Sequence, residues 1–115
     1  MSRPTPSHTH ALIALLAAST LATSAQAGNV ADQSDLARAS GCFSCHSVTE
    51  KVVGPAFQSV AERYAGQPDA ASDLVMSVTN GSTRKWSRVA AMPPHPNMAQ
   101  ADIRRLVEWV LSQRK

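Results

Sequence analysis

Two cysteines, Cys42 and Cys45, are the only ones in the chain, and they stand in the stretch SGCFSCHSV with His46 directly after the second. Four chemistries compete for such an arrangement. A disulfide between residues this close closes a very short loop and constrains little of the unfolded chain. A thioredoxin-like redox couple belongs in a βαβ setting, and no alternating strand pattern supplies one. A four-ligand zinc site needs a further donor. His95 is available, but the adjacent Cys45 and His46 chelate awkwardly and the spacing is unusual for zinc. Cys-x-x-Cys-His is also the attachment pattern of c-type haem, in which two thiols add to the porphyrin vinyl groups and the histidine reaches the iron. The spacing lets both sulfurs meet one ring with His46 beneath it. The rest of the chain favours this last reading.

The N-terminal stretch MSRPTPSHTHALIALLAASTLATSAQA opens with Arg3 and no acidic residue, runs apolar from Ala11 to Leu21, and closes on Ala25-Gln26-Ala27. A basic start, a short apolar run and small residues at alternate positions mark a cleavable export signal over residues 1–27. A bilayer-spanning helix needs ~20 apolar residues, about twice this run. Cleavage after Ala27 would deliver residues 28–115 to the periplasm, and c-type haem is attached outside the cytoplasm. Removing 27 of 115 residues leaves 88, with ten basic and eight acidic side chains. So weak a charge excess argues against nucleic acid as a partner. A single domain of this size buries little apolar surface and calls for a staple or a cofactor.

Helical spacing recurs through the mature segment, and the fold class it predicts is all-α, with four short helices. Leu36 and Ala37 precede the cysteines, with Asp32 and Asp35 at the helix start, where acids favour the dipole. In GPAFQSVAERYAG, Phe57, Val60, Ala61 and Tyr64 share one face; Pro55 suits the first turn and Gly66 the stop. A third helix is expected from about Asp69 to Val78, ended by Asn80-Gly81. The last runs from about Gln100 to Gln113, with Ile103, Leu106, Val107, Val110 and Leu111 on one stripe. Between these two lies GSTRKWSRVAAMPPHPNMA, where Pro93, Pro94 and Pro96 forbid a continuous helix. A loop this long in so small a domain is commonly functional. Trp86 and Met92 within it point to a segment wrapping an apolar object.

At these residues the chain resembles a short bacterial class I cytochrome c of the soluble mono-haem kind, over essentially the whole mature segment. The resemblance is carried by GCFSCH, KVVGPAFQSVAERYAG, NGS, Trp86, MPP and LVEWVLSQRK. It implies one haem c per chain, attached at Cys42 and Cys45, with His46 and Met92 as the axial iron ligands. Met76 and Met98 sit at ordinary packing positions, whereas Met92 heads the rigid Pro93-Pro94 turn; His95 is its rival in the same loop. The resemblance further implies that the Pro55 carbonyl accepts the second ring N–H of His46. It also places the Trp86 indole at a haem propionate, and Gly41 with Trp109 at a tight crossing of the first and last helices. Three departures stand out. The route WSRVAAM to the methionine is one residue longer, His95 replaces a common asparagine, and Ser77 replaces an arginine that binds a propionate in some relatives. That last change leaves Arg84, Lys85 or Arg88 to compensate.

His/Met ligation closes the iron to substrate and favours a raised reduction potential. No acid–base or nucleophilic constellation stands elsewhere. The expected function is a monomeric electron carrier, not an enzyme, passing single electrons between a respiratory donor and a terminal reductase or oxidase. Arg84, Lys85 and Arg88 offer a positive rim for transient docking of acidic redox partners. The alternative is a gas-binding or sensor module with a labile Met92; a peroxidase-like site requires an open iron.

Overall fold

Four α-helices form where the apolar spacing places them: α1 Ser34–Ala39, α2 Phe57–Arg63, α3 Ala70–Asn80 and α4 Gln100–Leu111. They belong to a computed structural model that describes Met1, Ser2 and residues 29–115, so the expected export signal lies almost wholly outside the described residues. Among the described residues no helix is long and apolar enough to cross a membrane.

The start of α1 is set by Asp32, whose carboxylate accepts the Ser34 backbone N–H and hydroxyl, both at 2.9 Å. These bonds hold the Asp32 carboxyl below its ordinary value, the Ser34 backbone N–H foremost. The helix stops at Gly41, which takes φ +78° and donates its N–H to the Arg38 carbonyl at 3.1 Å. A side chain pays steric strain in that left-handed conformation, which glycine avoids. The expectation that Gly41 permits a close helix crossing is corrected here, because a Cβ at that position would meet nothing within 4 Å. The small residue in that packing is Ala37, fully buried in one cluster with Phe57, Leu106 and Trp109. Trp109 meets Phe57 edge-on at 5.5 Å between ring centroids, and Phe43 at 6.5 Å.

Pro55 also departs from expectation. It lies two residues before α2 instead of in its first turn, and Ala56 at the helix boundary is extended, with φ −58° and ψ 144°. The reason is that the Pro55 carbonyl faces His46 and is not available to a helix. A second cluster joins α2, α3 and α4 through Val60, Tyr64, Ala70, Leu74, Ile103 and Val107. The two clusters share the buried stripe of α4, which the 3.6-residue period made legible.

The segment between α3 and α4 is irregular yet pinned. Ser82 and Met92 exchange backbone hydrogen bonds of 3.0 and 2.9 Å as an isolated antiparallel bridge. At the foot of this bridge, Gly81 has φ +75°, and a Cβ there would stand 2.8 Å from the Met92 carbonyl oxygen and 2.9 Å from the Pro94 nitrogen. Asn80-Gly81 therefore ends the helix and also lets the methionine segment lie against it.

Candidate haem site

One cavity of about 390 Å³ opens between α2, α3, α4 and the two irregular segments. Its volume falls in the range of cofactor pockets, ~300–1,000 Å³. The wall is chiefly apolar, with Phe57, Val60, Leu74, Val78, Val107 and Val110 contributed by the three helices. Cys45, His46, Pro55, Trp86 and Met92 all line it, so five of the six site residues expected from the sequence meet in one place. Cys42 does not line it. It lies half-buried against the Ala37–Trp109 cluster, where burial pushes its thiol above the ordinary value. The two cysteines are not joined to each other by a disulfide.

The local fold aims His46 with several independent contacts. A 3₁₀ turn over Cys42–Ser44 brings the His46 N–H to the Cys42 carbonyl at 3.0 Å. The following loop folds back so that the Cys45 carbonyl accepts the Gly54 N–H at 2.8 Å and the Val53 N–H at 3.2 Å. Nδ1 of His46 then stands 2.7 Å from the Pro55 carbonyl oxygen. Because a carbonyl only accepts, Nδ1 carries the proton and Nε2 keeps its lone pair. The imidazole stacks on Phe57, 5.2 Å between centroids and 22° between planes. Gly54 also lies against the ring, where a Cβ would sit 2.8 Å from Nδ1 and 2.9 Å from Nε2 of His46.

Gly54 is thus a site residue that sequence reasoning missed. The Gly-Pro pair is visible in the sequence, but its helix-start pattern points only to Pro55. The missing signal was the need for a bare backbone beneath a ring eight residues back.

Trp86 is held from outside the cavity. The Arg63 guanidinium lies 4.3 Å from its ring centroid and donates to the Lys85 carbonyl at 3.0 Å. Lys85 departs from the expected exposed rim. Its ammonium donates to the Ser77 hydroxyl oxygen at 3.1 Å and stands 3.5 Å from the Asp73 carboxylate. Of the three expected rim cations, Arg84 and Arg88 remain exposed. His95, the rival donor, is absent from the cavity wall. Its Nδ1 is buried without a hydrogen-bond partner. Among the described residues no three His, Cys, Asp or Glu side chains gather as metal ligands.

The residues present fit a covalently held porphyrin. An apolar cavity meets a cysteine, an imidazole with a free Nε2 and a thioether, and a glycine keeps the imidazole's bed clear. Fold and site together define a small helical haem protein. The Cytochrome c family model matches residues 30–114. Cytochrome c-552 of Nitrosomonas europaea is 40% identical over 86 residues, spanning 75% of this chain and 82% of that protein. Cytochrome c-551 of Pseudomonas aeruginosa is 38% identical over 105 residues, 91% of this chain and 97% of that one. The crystal structure of wild-type Nitrosomonas europaea cytochrome c552 superposes with a TM-score of 0.68 at 40% identity, covering 70% of this chain and 99% of that one. The chain belongs to the cytochrome c family, among the small bacterial class I c-type cytochromes. Its cofactor is covalently bound haem c, and its class carries electrons.

Proposed function

We propose that residues 28–115, released by cleavage after Ala27, form a monomeric periplasmic carrier of single electrons between a respiratory donor and a terminal reductase or oxidase. When bound, haem c supplies an iron that alternates between two oxidation states. Cys42 and Cys45 would hold the porphyrin through thioether bonds. His46 would offer Nε2 to the iron, its orientation and tautomer set by the bond from Nδ1–H to the Pro55 carbonyl. The same bond makes the ring a stronger donor. Met92 would offer its sulfur to the same iron, with its backbone fixed by the reciprocal bonds to Ser82. Phe57, Val60, Leu74, Val78, Val107 and Val110 keep water away and favour the less charged, reduced state. Exposed Arg84 and Arg88 give a positive rim for brief docking of acidic redox partners.

The observation that carries the reading is the meeting of His46 and Met92, from segments 46 residues apart, in the wall of one apolar cavity. The experiment is spectroscopic. The purified protein should keep its pigment on the polypeptide in acidified organic solvent, and mass spectrometry should find Gly28 at its N-terminus. The oxidised form should show a near-infrared sulfur-to-iron charge-transfer band that Met92→Ala abolishes. A high-spin ferric spectrum that binds added carbon monoxide or nitric oxide readily at neutral pH would overturn the carrier reading in favour of a gas-binding module.

A further inference from the structure

Haem carries two carboxylates, and a carboxylate taken partly out of water needs a cation or hydrogen-bond donors to hold it. Two cations line the cavity, Lys51 and Lys85. Lys51 is exposed, whereas Lys85 is half-buried and its ammonium is fixed in place. The fixing device is Ser77. Its hydroxyl proton goes to the Asp73 backbone carbonyl at 2.9 Å, which turns the oxygen's lone pairs to Lys85 at 3.1 Å. An ammonium has three donors. One is committed to Ser77, and a second faces the Asp73 carboxylate at 3.5 Å, longer than a good charge-assisted bond. The third is taken up by Tyr64, whose ring centroid lies 5.6 Å away and whose side chain is the foremost cause holding the Lys85 pKa above its ordinary value. The half-exposed Asp73 therefore holds the ammonium only loosely, and it is the partner that an acceptor in the cavity can displace.

We propose that Lys85 is the cation that binds a haem carboxylate, and that Asp73 competes with that carboxylate for the same ammonium. The proposal rests on haem occupying the cavity as described above. It assigns to Lys85, through Ser77, the work that an arginine at position 77 would do directly. Trp86, next in the chain, lines the same wall, and Arg63 clamps both residues from α2. The charged and titratable groups around Lys85 are Arg63 at the end of α2 and Tyr64 just after it, Asp73 on α3, and Arg84 and Arg88 on its own segment. The α4 residues in the wall, Val107 and Val110, are apolar.

The arrangement makes the reduction potential depend on pH with opposite signs for two variants. A haem carboxylate beside Lys85 titrates low, and its deprotonation stabilises the ferric state, so the potential inflects at that pH. Lys85→Met removes the cation and should move the inflection up by about one pH unit, a tenfold change in proton affinity, at the low end of what an adjacent opposite charge produces. Asp73→Asn removes the competitor and should move it down. Lys85→Arg should restore the wild-type inflection, and Lys51→Met should leave it in place.

The experiment is a spectroelectrochemical titration of the holoprotein at a series of pH values. Proton NMR of the haem propionate methylenes gives the carboxylate titration independently of potential. Opposite shifts in Lys85→Met and Asp73→Asn support the proposal. Unmoved inflections, or shifts in one direction for both, overturn it while leaving the haem and its axial ligands intact in the spectrum. Asp73 is exposed, so its variant tests the sign even where Lys85→Met folds poorly. A wild-type chain that retains no haem overturns this inference together with the function on which it rests.

Discussion

Gly54→Ala isolates the bed beneath the His46 imidazole. Gly54 is not among the residues with positive φ, so alanine meets no backbone strain there. The added Cβ would lie 2.8 Å from Nδ1 and 2.9 Å from Nε2 of His46. The ring has nowhere to go, being stacked on Phe57 at 5.2 Å and tied to the Pro55 carbonyl at 2.7 Å. Overpacking of this kind costs ~1–3 kcal/mol, and a strained or broken hydrogen bond adds ~0.5–1.5 kcal/mol. The smaller entropy of the unfolded alanine chain offsets ~0.4–1 kcal/mol. The net is about 2 kcal/mol. At ~4–8 °C per kcal/mol for a domain of this size, Tm should fall by roughly 8–16 °C. The assay is thermal unfolding of the purified holoprotein by circular dichroism, with the visible and near-infrared spectra recorded first. Both Tm and the spectrum should change, because the displaced ring is the one offered to iron. A variant with Tm within ~2 °C of the parent on that scale and an unaltered spectrum would refute the close-packing argument.

Gly41→Ala should behave differently: about 1 kcal/mol lost to the left-handed backbone alone, with the spectrum unchanged, since a Cβ there touches nothing within 4 Å. Urea unfolding beside the spectrum checks both halves, and a spectral change would return Gly41 to the helix crossing. Trp109→Ala should cost ~3–5 kcal/mol, because the indole is buried and meets Phe57 and Phe43 edge-on; chemical denaturation midpoints measure it, and a loss under ~1 kcal/mol would contradict the packing. For Asp32→Ala the sign follows from a carboxyl held below its ordinary 3.8 in the folded chain. Its contribution is present above that value and is lost as pH falls through the lower folded pKa. The Tm gap between parent and variant should therefore be present at neutral pH and close below pH 3.8. A gap that persists or widens in acid would exclude the cap.

Much of the site was legible because its chemistry is local in the chain. Cys42, Cys45 and His46 sit within five residues, and only a few reactions use two thiols and an imidazole at that spacing. The candidacy of Met92 was legible for a related reason: the prolines that follow exclude a helix and single it out from Met76 and Met98, and the structure places it in the cavity wall. The helical stripes were equally plain, since burying one face repeats every 3.6 residues. Pro55 shows where this reasoning stops. Its carbonyl role was anticipated by resemblance, but its place in the first turn of α2 was not, because satisfying His46 keeps that stretch extended.

The amino-acid order by itself determined the attachment motif, the all-α class, the long Pro-punctuated segment and the stripe of α4. Each follows from spacing over a few residues, whatever the chain later packs against. Tertiary structure alone decided which segments come within hydrogen-bonding distance of one another. It brought Ser82 to Met92, laid His46 on Gly54, and turned Lys85 from the expected rim toward Ser77 and Asp73. It also moved the close helix contact from Gly41 to Ala37. A hydrogen bond or a steric clash is settled over tenths of an ångström between residues distant in sequence, and no local period encodes that distance.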